Sequence, residues 1–327
     1  MTKERNCLLV FCESTDSGIP EATSLEVLGL GKKLSEAMGY ELAAAATNDI
    51  SCEAAAHGAD RIFSAPPPSG NTYPTTWYAA LLEQACQRCN PGAVLFAHTP
   101  LGQDIAPRLA LRLGTWFVSD AVDIAIHDNK ILAQKPIQGG VALATYSFNT
   151  SPSIITVRRG VGNVPERDES HAAKVDEIEV GSQHLYGQWE LVDRVSEETK
   201  GIKLEYAKII VSGGRGIGGT EGFEMLRELA EELGAAVGAS RPPCDAGWIS
   251  PSHQIGITGT VVSPEIYIAV GISGASQHLS GMGNSKKIVA INKDPDAYMF
   301  KVSDYGAVCD YKQVLPALIN AIRENRR

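Results

Sequence analysis

Val211-Ser212-Gly213-Gly214-Arg215-Gly216-Ile217-Gly218-Gly219 closes an apolar run at residues 207–212 and leads into a helical pattern at 221–233. Gly214, Gly216 and Gly219 satisfy GxGxxG, a spacing that lets a helix N-terminus approach a pyrophosphate. The stretch reads as strand, turn and helix, and the chain beyond it repeats the unit. Short strands are predicted at 235–238, 265–270, 287–291 and 306–309, with helices from 276 and at 314–323 and a long irregular loop at 240–259. Strands alternating with helices predict a parallel sheet covered on both faces. A second small-residue turn, Gly271-Ile272-Ser273-Gly274-Ala275-Ser276, opens another helix. Two phosphate-type turns in one domain suit a dinucleotide better than a mononucleotide. The acidic residue that would hold an adenosine ribose about 20 positions on is missing, and an arginine there, Arg241, suits NADP in a Rossmann reading.

Working back toward the N-terminus, the first half also alternates. Apolar runs at 7–12, 41–47, 61–64 and 93–97 read as strands, and helical spacing marks 24–38, 76–88 and 104–113. After Gly114 the texture becomes strand-like, at 116–126, 130–133, 141–147 and 153–157, which predicts a β-rich extension with antiparallel pairing. Residues 160–201 are polar and charged, so the boundary falls near 196–201, in a segment read as a mobile linker. The expected fold class is α/β with two domains: a parallel-sheet α/β domain with the extension at 1–195, a linker at 196–206 and a Rossmann-like dinucleotide domain at 207–327.

The chain's 327 residues, 44% hydrophobic and 20% charged, suit a two-domain globular protein. A net charge of −9 argues against nucleic acid, whose affinity comes from neutralised phosphates. No run is long and apolar enough for membrane insertion. The N-terminus enters a strand directly, leaving no room for a signal or transit peptide, so a cytoplasmic protein is expected. The seven cysteines sit mostly in apolar runs, as reduced thiols do. Cys86-Gln87-Arg88-Cys89 has neither a thioredoxin-like strand before it nor a second pair after it, so no metal or redox site is read there.

Two loops complete the candidate site, Ser240-Arg241 with Gln254-Ile255-Gly256-Ile257-Thr258-Gly259, and Gln277-His278. Together with Val211 to Gly216, Asp245-Ala246-Gly247-Trp248, Tyr267 to Leu279, Ile288 to Pro295 and Asp304-Tyr305-Gly306, they resemble the C-terminal domain of electron transfer flavoprotein alpha subunits. Asp104 to Ala110 and Thr156-Val157-Arg158 resemble the N-terminal domain more loosely. The resemblance implies a FAD electron carrier without a substrate of its own. Its partners would be an electron transfer flavoprotein beta subunit in an obligate heterodimer, acyl-CoA dehydrogenase-type donors and a quinone oxidoreductase-type acceptor. It places Ser240 and Arg241 against the isoalloxazine, counts Ile255, Gly256 and Ile257 among the cofactor-binding residues, and puts the Thr258 hydroxyl near N5 and His278 near O2. Ser273, Gly274, Ala275, Ser276 and Gln277 would line the ribityl chain and pyrophosphate. Asn292 and Asp310 would hold the adenosine end, and Arg215 would sit beside the cofactor and the partner. One departure is Ile257, where the family usually carries glutamine.

Positive charge beside a flavin favours its reduction. A unit charge about 4 Å away at an effective dielectric of 20 contributes roughly 4 kcal/mol, on the order of 150 mV. Arg241 and a protonated His278 are therefore expected to set the first reduction step. Two other readings are an electron-bifurcating complex using NADH and an NADP-dependent oxidoreductase. Trp116 after Thr115, where bifurcating members favour glycine, points away from the first; a yellow protein that consumes no NADPH would exclude the second.

Overall fold

The computed structural model describes residues 6–15, 17–67, 75–140, 142–181 and 202–325. The chain divides into two compact units, Met1–Ile137 with Ala142–Arg194, and Gln138–Val141 with Val195–Arg327. No helix among the described residues is long and apolar enough to cross a membrane.

The first unit is built on β1 (Cys7–Phe11), β2 (Glu41–Thr47), β3 (Arg61–Ala65), β4 (Ala93–Ala97), β5 (Phe117–Ala121), β6 (Asp123–His127), β7 (Lys130–Ile137), β8 (Ala142–Ser147), β9 (Ser153–Val157) and β10 (Lys174–Glu177). Its helices are α1 (Ala22–Met38), α2 (Ser51–Ala56), α3 (Thr75–Cys89) and α4 (Pro100–Leu113). Seven strands form one parallel sheet in the order β10-β3-β2-β1-β4-β9-β5. The continuous apolar run of β1 follows from burial on both faces. Leu8 and Val10 enter a core with α1, whereas Cys7, Leu9 and Phe11 enter a second core with α3 and α4. Cys86 is buried in that second core, beside Cys89 at the end of α3.

The strand-like region after Gly114 divides differently from expectation. Among the described residues, only β6, β7 and β8 form the antiparallel extension, while β5 and β9 join the parallel sheet. The single run expected at 116–126 is two strands. Asp120 turns the chain at φ 61°, its N–H bonded to Thr156 Oγ1 at 2.8 Å and its carboxylate held in the fork of Arg158. The charged segment also contributes an unforeseen strand. β10 is largely exposed and hydrophilic because it lies at the sheet edge, where charge blocks further pairing.

The second unit contains β11 (Ile209–Gly213), α5 (Thr220–Leu233), β12 (Ala236–Ala239), α6 (Arg241–Asp245), β13 (Ile266–Val270), α7 (Ser276–Met282), β14 (Lys287–Asn292), α8 (Met299–Val302), β15 (Tyr305–Val308) and α9 (Tyr311–Asn325). All five strands are parallel, in the order β12-β11-β13-β14-β15. Helices α5 and α9 bury Phe223, Leu226, Leu315 and Ile319 on one face, and Tyr267, Ile255, Met282 and Met299 fill the other. The loop expected at 240–259 contains α6 and a 3-10 turn, Pro251–His253. Within the proposed linker, residues 196–201 lie outside the described residues. Leu204–Tyr206 form a 3-10 turn whose Leu204 is buried in the second unit's core.

Candidate functional site

The strand order of the second unit reverses between β11 and β13, so connections leave their carboxyl ends toward opposite faces and open a crevice there. Ligands of open α/β sheets bind at such switch points. The glycine turn after β11 and the small-residue turn after β13 both stand at this crevice.

Those two turns lock onto each other. Gly214 N–H donates to Val270 O at 2.8 Å and Gly216 N–H to Gly271 O at 3.0 Å. A Cβ on Gly214 would lie 2.2 Å from Gly271 O, and one on Gly271, at φ 63°, would lie 2.9 Å from Gly216 backbone. The GxGxxG reading is corrected here in part: Gly214 and Gly216 allow backbone to meet backbone, and their N–H groups are spent on that contact. Gly274, at φ 85°, serves packing too, since a Cβ there would lie 2.3 Å from Met299 N.

The resulting cavity measures about 730 Å³. It gathers Arg215, Ser240, Arg241, Ile255, Gly256, Ile257, Thr258, Ser273, Ala275, Gln277, His278 and Asn292, all expected from the sequence. A second cleft of about 210 Å³ shares Gly216, Gly271 and Asn292 with it and reaches Asp310. Gly274 and Ser276 line neither cleft. Pro242, Asp245 and Asp294 also line the larger cleft without having been singled out in the sequence, as do Gln254 and Ile272, which the sequence offered only as members of the candidate loop and turn. Gln254 and Asp245 stood within quoted motifs, but nothing in one dimension separated them from their neighbours.

Local contacts constrain what each side chain can offer. Arg241 Nε lies 3.1 Å from Asp245 Oδ2, one helical turn along α6, and both side chains are well exposed. Gln254 Nε2 donates to Thr258 Oγ1 at 2.9 Å. That bond occupies the hydroxyl's acceptor side and leaves its own proton free to be donated elsewhere. Ile257 is 58% exposed in the cavity wall, while its N–H donates to Gln277 O at 2.9 Å. Asn292 ties two loops together, donating to Ile272 O beyond β13 and accepting from Asp294 N–H in its own loop. Asp310 Oδ1 accepts Lys312 N–H at 2.9 Å in the first turn of α9, which begins three residues earlier than expected.

His278 requires a correction. Its ring is buried, and burial pushes it down to about 4, offset in part by the Ile255 carbonyl. The ligand-free chain therefore favours a neutral imidazole at pH 7, because a buried charge loses its hydration, whereas the expected cation belongs to the flavin-bound state.

Apolar walls from Pro242, Ile255, Ile257 and Ile272, two guanidinium groups and several hydroxyl and amide groups suit a long, flat, anionic ligand. The two linked clefts give it an extended seat, and these residues fit FAD.

Residues 203–283 match the family described as the electron transfer flavoprotein FAD-binding domain, and residues 8–182 match the electron transfer flavoprotein domain. Electron transfer flavoprotein subunit alpha of Bacillus subtilis is 40% identical over 321 residues, covering 97% of each chain. The subunit of the same name from Thermoanaerobacterium thermosaccharolyticum is also 40% identical, over 96% of this chain and 97% of that one. Lactate dehydrogenase (NAD(+),ferredoxin) subunit LctC of Acetobacterium woodii is 33% identical, over 96% of this chain and 76% of its own.

Proposed function

Because the chain belongs to the electron transfer flavoprotein alpha-subunit family, whose second domain binds FAD, we propose that it forms an obligate heterodimer with a beta subunit. The dimer carries electrons from acyl-CoA dehydrogenase-type donors to a quinone oxidoreductase-type acceptor in the cytoplasm, with no substrate of its own. The observation that carries this reading is the convergence of residues 215 to 294 on one cavity at the switch point of the second sheet.

Bound FAD supplies the redox chemistry, and the chain supplies position and charge. Ser240 and Arg241 would hold the isoalloxazine, with Arg241 supplying positive charge beside it. Thr258, its acceptor side filled by Gln254, would have its proton free to donate to the flavin. His278 would lie on the pyrimidine side of the ring. Ser273, Ala275 and Gln277 would hold the ribityl chain and pyrophosphate. Asn292 and Asp310 would hold the adenosine end, and Arg215 would stand by the cofactor. The first unit docks the beta subunit, a role supported by its exposed Leu111, Trp116 and Leu143.

The deciding experiment is co-expression with the beta subunit, followed by a visible spectrum and a flavin count. One FAD per heterodimer is expected, and a colourless dimer would overturn the reading. The similarity to LctC favours a second reading, a complex linked to NAD and a low-potential acceptor. Two flavins per dimer and bleaching by NADH would select it.

A further inference from the structure

Both ring nitrogens of His278 are engaged inside the protein. Nδ1 lies 3.0 Å from Ile255 O, and Nε2 lies 2.9 Å from the Tyr267 hydroxyl. A carbonyl can only accept, so Nδ1 carries the proton of the neutral ring. Nε2 then accepts, and Tyr267 donates. Tyr267 is completely buried in β13, with its ring tilted 59° to the imidazole. Beside it on β11 stands Ser212, whose buried Oγ makes no full hydrogen bond in this arrangement yet lies close enough to the Tyr267 hydroxyl to interact with it. A buried hydroxyl without a full partner is costly and rare, and in the neutral state the Tyr267 oxygen is what Ser212 has to donate to.

A second arrangement of the same groups would use it. A tyrosine hydroxyl has one proton but can also accept. If His278 takes a proton from solvent through the open cavity, Nε2–H donates to the Tyr267 oxygen. The Tyr267 proton must then turn to another acceptor, and Ser212 Oγ is the group at hand. One proton leaves solvent and forms the Nε2–H bond, two hydrogen bonds reorient, and no bond between heavy atoms changes.

We propose that Tyr267 and Ser212 are positioning residues that form a two-state relay behind His278. Tyr267 donates to the neutral imidazole in one state. In the other it accepts from the imidazolium while donating to Ser212. The relay rests on the flavin reading in one respect, since negative charge in the cavity is what draws His278 into its charged state. Arg215 and Arg241 on the same cavity oppose that state, and Asp245 and Asp294 favour it.

The test uses the full-length chain in its FAD-loaded heterodimer, with histidine labelled by nitrogen-15 and His278 assigned through His278→Gln. Long-range proton–nitrogen correlation spectra are recorded across pH, before and after dithionite reduction. The oxidised protein at pH 7 is expected to give the neutral ring with its proton on Nδ1. Ser212→Ala should leave that pattern intact yet lower the proton affinity of His278 about tenfold, the worth of one hydrogen bond in the charged state. In a Tyr267→Phe background, Ser212→Ala should have no further effect, because the link is already cut. A proton on Nε2 in the native protein, or the same titration midpoint with and without Ser212, would overturn the relay. Failure of the flavin reading looks different: the Ser212 effect would persist on acidification, but dithionite reduction would leave the His278 signals unmoved.

Discussion

Arg241 stands at the mouth of the cavity with its guanidinium shared between the cavity and Asp245. An exposed ion pair of this kind contributes little to stability, so its consequence lies in the field it presents to a bound flavin. Arg241→Ala should lower the first reduction potential by at most about 150 mV, less where Asp245 already offsets the charge. Asp245→Asn should raise it. Spectroelectrochemical titration of flavin-replete protein reads both, and shifts of the same sign would refute the electrostatic account. Ile257 makes a different point, since an apolar side chain lies in the cavity wall where a donor is usual in the family. Ile257→Gln would add a hydrogen bond to a charged acceptor, worth about 1.5–3 kcal/mol, or on the order of 60–130 mV upward in first potential. An unchanged or lower potential would place that side chain away from the ring.

The interlocked glycine turns are the element that shapes the site, because they fix the distance between the ends of β11 and β13. Gly271→Ala would strain a left-handed residue and drive a Cβ against the Gly216 backbone. The expected loss is about 1–3 kcal/mol of stability, together with reduced FAD occupancy of the purified dimer. Gly234, at φ 60°, is the control: its Cβ would meet nothing within 4 Å and it lines neither cleft. Gly234→Ala should cost only the backbone term, about 1–2 kcal/mol, and should keep its flavin. Equal flavin loss in the two variants would show that turn packing is not what holds the cavity open.

Across the whole molecule, the pH dependence of stability should carry the signature of Glu13. This carboxyl is buried at the end of β1, accepts from Thr99 Oγ1 at 2.5 Å, and is pushed by burial up to about 7. The folded chain therefore binds more protons than the unfolded one between roughly pH 4.5 and 7, and stability falls as pH rises through that window. The full penalty, on the order of 3 kcal/mol, applies above pH 7. Glu13→Gln keeps an acceptor for Thr99 and should raise the melting temperature more at pH 8 than at pH 5. The reverse ordering would mean that the carboxylate is stabilised in the folded state.

Much of this was legible in the sequence because it depends on local pattern. Alternating apolar runs marked β2, β4 and β9 to their ends, since strands buried on both faces must be continuously apolar. Ser240, Arg241, Gln277 and His278 stood out in loops beside the two turns, where backbone freedom and ligand chemistry leave unusual residues side by side, whereas Asn292 came only through the family resemblance. Tertiary structure decided what depends on contacts across many residues. Strand β10 is hydrophilic and gains its identity only by pairing with β3. The spacing GxGxxG could not reveal that Gly214 and Gly216 face another turn 57 and 55 residues away, at Gly271. The charge of His278 was equally out of reach. A histidine's protonation follows from its burial and from the partners that the fold brings to its two nitrogens, Ile255 and Tyr267, and sequence spacing encodes neither.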